Sequence, residues 1–547
     1  MWTAVTAQPA FLMIPPKSVD DTTCMDFTPA SHTSQHWRLT KPAASGTRGM
    51  VVSQSKNASE AGVAMLDAGG NAIDAAVATA LALAAVEPWN SGLGGVGHAL
   101  VHRVGQARAE AVDFGPTAPA TLDAKRFTLT GKIAADLFAW PEVEGDANIH
   151  GPLSFVIPSA VAGLGEMHGR WGRLPLAEVA APSVALAKRG LPQDWYSTLK
   201  IAISTAVLRK YPESARIYLR DGLPPVPPYQ GALSYFRLGR LCETLEQLAR
   251  AGWRDFYQGG IASHIVADAK AMGGVLSAED LANCKATVLA AVEVPWRAHT
   301  LQTTGPLTAA PSAADVLRLM PDAPVAPIPD ALWYVSLARA LKRAYARRLA
   351  TLGDGEPQAA ESCTTHISVC DEEGTMVAIT TTLLSSMGSR VVLPGTGILM
   401  NNGVMWFDPR PGQPNSIAPG KRPLTNMFPI ILRDGDKPWI IGGASGGRRI
   451  MAAVLQLVSF VADFGMTLEA AAHQPRIDVS GPDKVTADGR LAPDILRALQ
   501  DDGPTEIVEH GVLPVNFACP SLLVQKSGAR VGISDASSPW SAAVAQS

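Results

Sequence analysis

The chain has 547 residues, 47% of them hydrophobic and 17% charged, with 46 lysines and arginines against 49 aspartates and glutamates. The apolar fraction excludes a largely disordered chain, and a formal charge of −3 gives no footprint for nucleic acid or an anionic membrane. Six cysteines without a CxxC pair exclude a disulfide scaffold and a zinc ribbon, and read as free thiols.

Residues 1–47 are polar and unpatterned and read as an N-terminal extension, within which Met25 is a candidate start. The first twenty residues hold one basic side chain, Lys17, a poor signal-peptide n-region. No apolar run is long enough to span a bilayer. The expectation is a soluble, cytoplasmic protein with no membrane and no nucleic-acid partner.

Residues 57–88 predict two helices back to back. Asn57 with Glu60 reads as an N-cap, and Gly69-Gly70 closes the first helix. Asn71 with Asp74 repeats the device, and Ala75–Val86 is apolar on nearly every side, as a core helix is. The loop Ser91–Gly97 has four glycines, which let backbone approach backbone; it follows a helix and lacks Lys-Ser/Thr, so it is not a phosphate cradle. Residues 160–290 read as mainly helical. Residues 305–330, with six prolines, read as a connecting segment before a helix over 331–352, and 353–363 as an exposed loop.

After Cys363 the texture becomes β. Thr364–Cys370 and Met376–Thr382 predict a hairpin around Asp371–Gly374. A three-residue loop pairs residues whose numbers sum to 746 and sets Thr364 opposite Thr382 at the open end. An ordinary cross-strand threonine pair has the same spacing.

Two nucleophiles compete. Gly443-Ala444-Ser445-Gly446-Gly447 matches G-x-S-x-G between a strand and a helix, and a serine hydrolase would use Ser445 with His510 as base. No alternating βα pattern surrounds it on the scale that fold needs. Thr364 is the other. If the bond after Cys363 is cut, Thr364 gains an α-amine of pKa about 7.7–8.0, so one residue supplies nucleophile and base. His98 and His102 have i, i+4 spacing but lie in a strand pattern with no glutamate between them, so no metal is expected.

Thr364-Thr365-His366-Ile367-Ser368-Val369, then Thr382, Pro394–Leu399, Asn401-Asn402, Ala418–Leu424 and Gly446-Gly447 resemble the gamma-glutamyltransferase (gamma-glutamyltranspeptidase) family, nearer its acylase-like and oxamate-hydrolase-like members. Gly69–Ala78, Val86-Glu87-Pro88 and Ser91–Gly95 agree in order, and the likeness covers roughly residues 48–540. The resemblance implies an N-terminal-nucleophile (Ntn) hydrolase, an α/β (α+β) chain folded as an αββα four-layer sandwich. One precursor cuts itself between Cys363 and Thr364 into intertwined subunits, 48–363 with its extension and 364–547. It also implies Thr364 as nucleophile and base, Thr382 as its hydrogen-bond partner, Gly446 and Gly447 as oxyanion donors, His366 in a structural role, and no cofactor or metal. The partners implied are a small-molecule amide substrate and the two subunits of one precursor, with association into a dimer of heterodimers left open.

The departures concern substrate. Family members that bind a gamma-glutamyl group hold its α-carboxylate with an arginine where this chain has Gly115. They hold its ammonium with an acidic residue where Met405 and Trp406 stand, Asp408 being the nearest acid. The Ser-Ser pair is Thr425-Asn426, and an asparagine beyond Thr382 is Leu384. Arg448 follows the two glycines where a small hydroxyl residue is usual. The expectation is that Arg448 grips an anionic acyl group, glutaryl-like or oxamate-like, against Trp406, with Thr425 and Asn426 lining the site. Alternatives are a true gamma-glutamyltransferase or glutathione hydrolase, the Ser445 hydrolase, and an uncleaved binding homologue.

Overall fold

Every residue of Val96–His102 and Met376–Leu384 is buried, so these strands must be covered on both faces. In the computed structural model, which describes residues 37–134, 140–321, 324, 326–352, 363–480, 484–513 and 516–547, two sheets and two helical layers provide that cover. One sheet has seven antiparallel strands in the order Ala542–Ala545, Met50–Ser53, Cys363–Cys370, Met376–Leu384, Val96–His102, Glu110–Phe114 and Thr287–Ala290. The other runs Ala44–Gly46, Ala529–Ser534, Cys519–Lys526, Lys437–Ser445, Ile430–Asp434, His299–Thr303 and Val292–Trp296.

Strand alternation assigns the faces. Val52, Leu100, Cys370 and Ala378 of the first sheet meet Ile431, Ile441 and Leu523 of the second in the central layer. Val51, Ala99, Ile367 and Ile379 face the helical layer that contains Ala72–Val86. Leu301, Ile430, Leu432 and Ile440 pack under Ala331–Leu352 and Ile450–Ala462. This is the expected αββα sandwich, with strands from either side of position 363 interleaved in both sheets.

Ala72–Val86 is wholly buried, and the expected Asn71–Asp74 capping box is present. Asn71 Oδ1 accepts from the amides of Ile73 and Asp74, while Asp74 Oδ2 accepts from Asn71 N at 3.0 Å. Asp74 also accepts from Arg173 N, tying the helix start to a distant loop. The glycine-rich loop works as expected: a Cβ on Gly94 would lie 2.3 Å from Leu399 O, and one on Gly95 2.7 Å from Thr382 O.

Three expectations change. The first helix spans Lys56–Asp67 with Ser55, not Asn57, as N-cap, because it begins as soon as the chain leaves the strand Met50–Ser53. The proline-rich segment contains a helix, Ala310–Leu319, started by Pro311 in its first turn, where a missing N–H costs nothing. Residues 37–47 are built into the fold: Ala44–Gly46 is an edge strand, and Lys41 Nζ donates to the carbonyls of Asp535, Ser538 and Ser541. Of the loop expected at 353–363, residues 353–362 lie outside the described residues, and Cys363 instead opens the strand Cys363–Cys370.

Asp74 is fully buried and satisfies several amides at once. Asp74→Ala is therefore expected to destabilise the protein by roughly 2–4 kcal/mol, read as a lowered thermal midpoint. An unchanged midpoint would contradict the capping assignment.

Candidate active site

The hairpin keeps the expected register from Thr365↔Thr381 to Cys370↔Met376, then shifts so that Cys363 faces Leu384. Thr382 and Leu383 thus oppose the single residue Thr364, a bulge of the kind that re-aims side chains beside active sites. Thr364 Oγ1 donates to Thr382 Oγ1 at 3.3 Å, and Thr382 Oγ1 accepts from Leu384 N at 2.8 Å. Both threonines are buried. Leu384 takes φ +86°, a left-handed conformation that costs a leucine about 1–3 kcal/mol. Its side chain repays this by burial in an apolar cluster with Met405 and Trp406.

His366 shares the face of Thr364. Its Nδ1 lies 2.8 Å from Thr380 Oγ1 and its Nε2 3.1 Å from Ser368 Oγ. Burial pushes its pKa down to about 3, so the ring is neutral. A Cβ on Gly443 would come within 2.3 Å of His366 Nδ1, so the first glycine of the G-x-S-x-G match admits this imidazole. Gly446 (φ +140°) and Gly447 (φ +57°) turn the chain from the strand Lys437–Ser445 into the helix Ile450–Ala462. A Cβ on Gly446 would lie 2.6 Å from Ala518 Cα. A helix N-terminus here presents backbone N–H groups and the positive end of its dipole.

The Ser445 alternative does not assemble. The Ser445 hydroxyl accepts from Gln54 Nε2, whereas His510 lies 2.9 Å from Asp488 Oδ2 and 3.3 Å from Arg490 Nη2, around the small sheet Ile477–Asp478, Val485–Asp488, Thr505–Val508.

Arg448 is 6% exposed, not a surface residue, and its carbonyl accepts from the Tyr345 hydroxyl. Sequence reasoning missed a second buried cation in the same neighbourhood, Arg348. Its Nη1 donates to Thr308 O at 3.0 Å, and its Nη2 to Thr425 O at 2.7 Å and Asn426 Oδ1 at 3.1 Å. Burial, with Arg448 adding to it, pushes the Arg348 pKa down to about 10. Among the described residues no carboxylate pairs with Arg348. Its signal was an arginine on the apolar stripe of Leu341, Ala344 and Tyr345, which helical spacing points inward.

The remaining candidates separate. Thr425 and Asn426 lie against Arg348, while Trp406 packs in the apolar cluster with Met405, Phe407 and Met427; the Asn426–Met427 step joins the two groups. Asn401 and Asn402 are consumed in scaffolding: Asn401 bridges Gly94 and Val156, and Asn402 holds Ile149 and Ser385. Asp408 is fully buried and paired with Arg410 at 2.7 Å. At Gly115, a Cβ would lie 2.6 Å from Arg422 Nη2, which is itself held by Asp113 Oδ1 at 2.6 Å. His98 and His102 are buried in a strand, and no group of metal-binding side chains occurs among the described residues.

Burial pushes the His98 pKa down to about 4. Both His98 and His366 are neutral in the fold but would protonate near 6.5 when unfolded, so each withdraws stability as pH falls from about 6.5 toward its folded value. Imidazole NMR should show neither ring titrating between about pH 5 and 8; a midpoint near 6.5 for either would contradict the burial argument.

Comparison with known proteins agrees with this geometry. The gamma-glutamyltranspeptidase family profile matches residues 58–363 and 355–539. The chain is 28% identical over 544 residues to the glutathione hydrolase proenzyme of Escherichia coli K12, covering 89% of this chain and 90% of that one. It is 30% identical over 483 residues to the acylase ACY 1 proenzyme of Pseudomonas sp. SE83, covering 81% and 84%. The crystal structure of cephalosporin acylase from Bacillus halodurans superposes with a TM-score of 0.79 at 23% identity, covering 95% and 99%, a likeness of fold. The chain belongs to the gamma-glutamyltranspeptidase family, and is an Ntn-type amide hydrolase or acyltransferase.

Proposed function

We propose that Thr364 is the nucleophile of a self-cleaving amidohydrolase whose preferred acyl group carries an anion and lacks the amino-acid head of a gamma-glutamyl group. The observation that carries the catalytic part is the buried contact of Thr364 Oγ1 with Thr382 Oγ1 at the bulge. A hydroxyl inside a chain is a weak nucleophile. Cleavage after Cys363 would leave an α-amine on the same residue, able to take the hydroxyl proton as Thr364 attacks the amide carbonyl. In this reading Thr382 orients the hydroxyl, and the amides of Gly446 and Gly447 stabilise the oxyanion as the carbonyl becomes tetrahedral. The proton returns to the leaving amine, and water or another amine then releases the acyl group. The products of self-cleavage would be chains of 363 and 184 residues.

The acyl preference rests on electrostatics. Arg348 brings buried positive charge beside Thr425 and Asn426, its hydrogen-bond partners are all neutral, and Arg448 is near enough to depress its pKa. An anionic acyl group would balance that charge. The gamma-glutamyl alternative lacks its clamp: Gly115 has no side chain, its space is filled by the Arg422–Asp113 pair, and Asp408 is committed to Arg410. In this reading Thr425 and Asn426 line the acyl site, and Trp406 bounds it through the apolar cluster that includes Met427.

Thr364→Ala should abolish both fragmentation on denaturing electrophoresis and amide hydrolysis; full activity in that variant would end the proposal. Glutaryl anilide should be turned over faster than gamma-glutamyl anilide, and the reverse order would overturn the substrate reading. Arg448→Met should lower kcat/KM for the glutaryl substrate about 10- to 100-fold, from loss of roughly 1.5–3 kcal/mol of charge-assisted hydrogen bonding. An equal loss on an uncharged acyl anilide would argue against direct recognition.

A further inference from the structure

Behind the nucleophile, on the opposite face of its strand, lies a chain of buried polar groups for which the mechanism above has no use. Glu87 ends the helix Ala72–Val86 and is 2% exposed. Its Oε2 is 2.5 Å from Thr365 Oγ1, the hydroxyl of the residue after Thr364. Thr365 Oγ1 is also 3.0 Å from Gln54 Oε1, and Gln54 Nε2 donates to the hydroxyl of Ser445, the residue before Gly446. The chain therefore crosses from a helix through one sheet to the other, ending next to the nucleophile on one side and the oxyanion glycines on the other.

Counting protons fixes the state of this chain. Thr365 has one hydroxyl proton and faces two acceptors. If Glu87 is ionised, that proton goes to its carboxylate, and Thr365 Oγ1 is left opposite Gln54 Oε1, acceptor against acceptor. Rotating the Gln54 amide sets its nitrogen against Asn90 Nδ2, which donates to Gln54 Oε1 at 3.2 Å. Asn90 cannot turn in response, because its amide also donates to Glu87. A proton on Glu87 resolves the conflict: Glu87 donates to Thr365, Thr365 to Gln54, and Gln54 to Ser445, each contact then having one donor and one acceptor.

We propose that Glu87 is a positioning residue that works in its protonated form, its carboxyl proton holding Thr365 and the Ser445–Gly446 turn in fixed relation. The groups facing it are Thr365 of the nucleophile strand, Gln54 just beyond Met50–Ser53, Asn90 of the glycine-rich loop, and the Lys200 cation of the helix Trp195–Ala202. Burial raises its pKa to about 7, against the hydrogen bond from Thr365 and the weaker pull of Lys200. Loss of the proton above that pH uncouples Thr365 from Gln54. Turnover then needs the Thr364 α-amine, of pKa about 7.7–8.0, to be free while Glu87 keeps its proton, and loss of the Glu87 proton makes turnover fall at high pH.

The inference rests on the proposed roles of Thr364, Gly446 and Gly447, and its test separates the two. Glu87→Gln supplies an N–H donor that cannot titrate. It should keep turnover at high pH, kcat rising to a plateau set by the Thr364 α-amine alone in place of the parent's fall. Thr365→Val cuts the chain and should lower kcat about tenfold with little change in KM, losing the same fall at high pH. Without any turnover, infrared difference spectra between about pH 5.5 and 8.5 should show a protonated-carboxyl C=O band lost on raising the pH and absent from Glu87→Gln. The proposal is overturned if the band is missing from the parent protein, or if either variant keeps the parent's fall at high pH. Activity in Thr364→Ala would sink the nucleophile reading and leave the infrared result standing.

Discussion

The proposed role of Thr364 turns on one constraint: its hydroxyl must stand at a new chain end while buried in the middle of a sheet. An ordinary terminus frays, and a fraying nucleophile has no fixed geometry. Here the strand Cys363–Cys370 pairs with Met376–Leu384 on one side and Met50–Ser53 on the other. Its neighbours come from both sides of position 363, so a break at that position leaves the order of strands in both sheets unaltered. The bulge that sets Thr382 and Leu383 against Thr364 adds the last adjustment, turning two hydroxyls toward each other. The left-handed backbone at Leu384 marks the conformational cost of that adjustment.

Around this point the G-x-S-x-G match acquires a meaning unrelated to a serine nucleophile. Gly443 makes room for His366, Gly446 for the backbone at Ala518, and Ser445 is the end of a hydrogen-bonded chain. Charge in the neighbouring site is arranged by burial. Arg448 and Arg348 lie inside with neutral acceptors about Arg348, whereas Arg410, Arg422 and Arg490 each have a carboxylate partner. The neutral surroundings of Arg348 support the proposed anionic acyl group, whereas the charges of Arg410, Arg422 and Arg490 are spent on the fold.

Much of this was legible in the sequence because it depends on local rules. Strand alternation and a short turn gave the hairpin register through Thr365↔Thr381, and Asn71 with Asp74 marked a helix start. The ordered motifs from Thr364 to Gly447 carried the family. What stayed hidden depends on partners distant along the chain. At the bulge Thr382 pairs with Val96 and Leu383 N donates to Asn90 O, partners that hairpin spacing does not reveal. Arg348 and Glu87 sit at positions whose burial periodicity could suggest, but whose partners, at Thr425 and Thr365, are 77 and 278 residues away. Ala310–Leu319 was obscured by prolines that flank a helix as readily as they break one.

The proposed role of Thr364 requires its nitrogen to be a free amine in the working enzyme. Intact-mass measurement with N-terminal sequencing of a catalytically active preparation tests this directly. Two polypeptides, the shorter beginning Thr-Thr-His-Ile, are the predicted result, and full activity from a chain unbroken between Cys363 and Thr364 would contradict it.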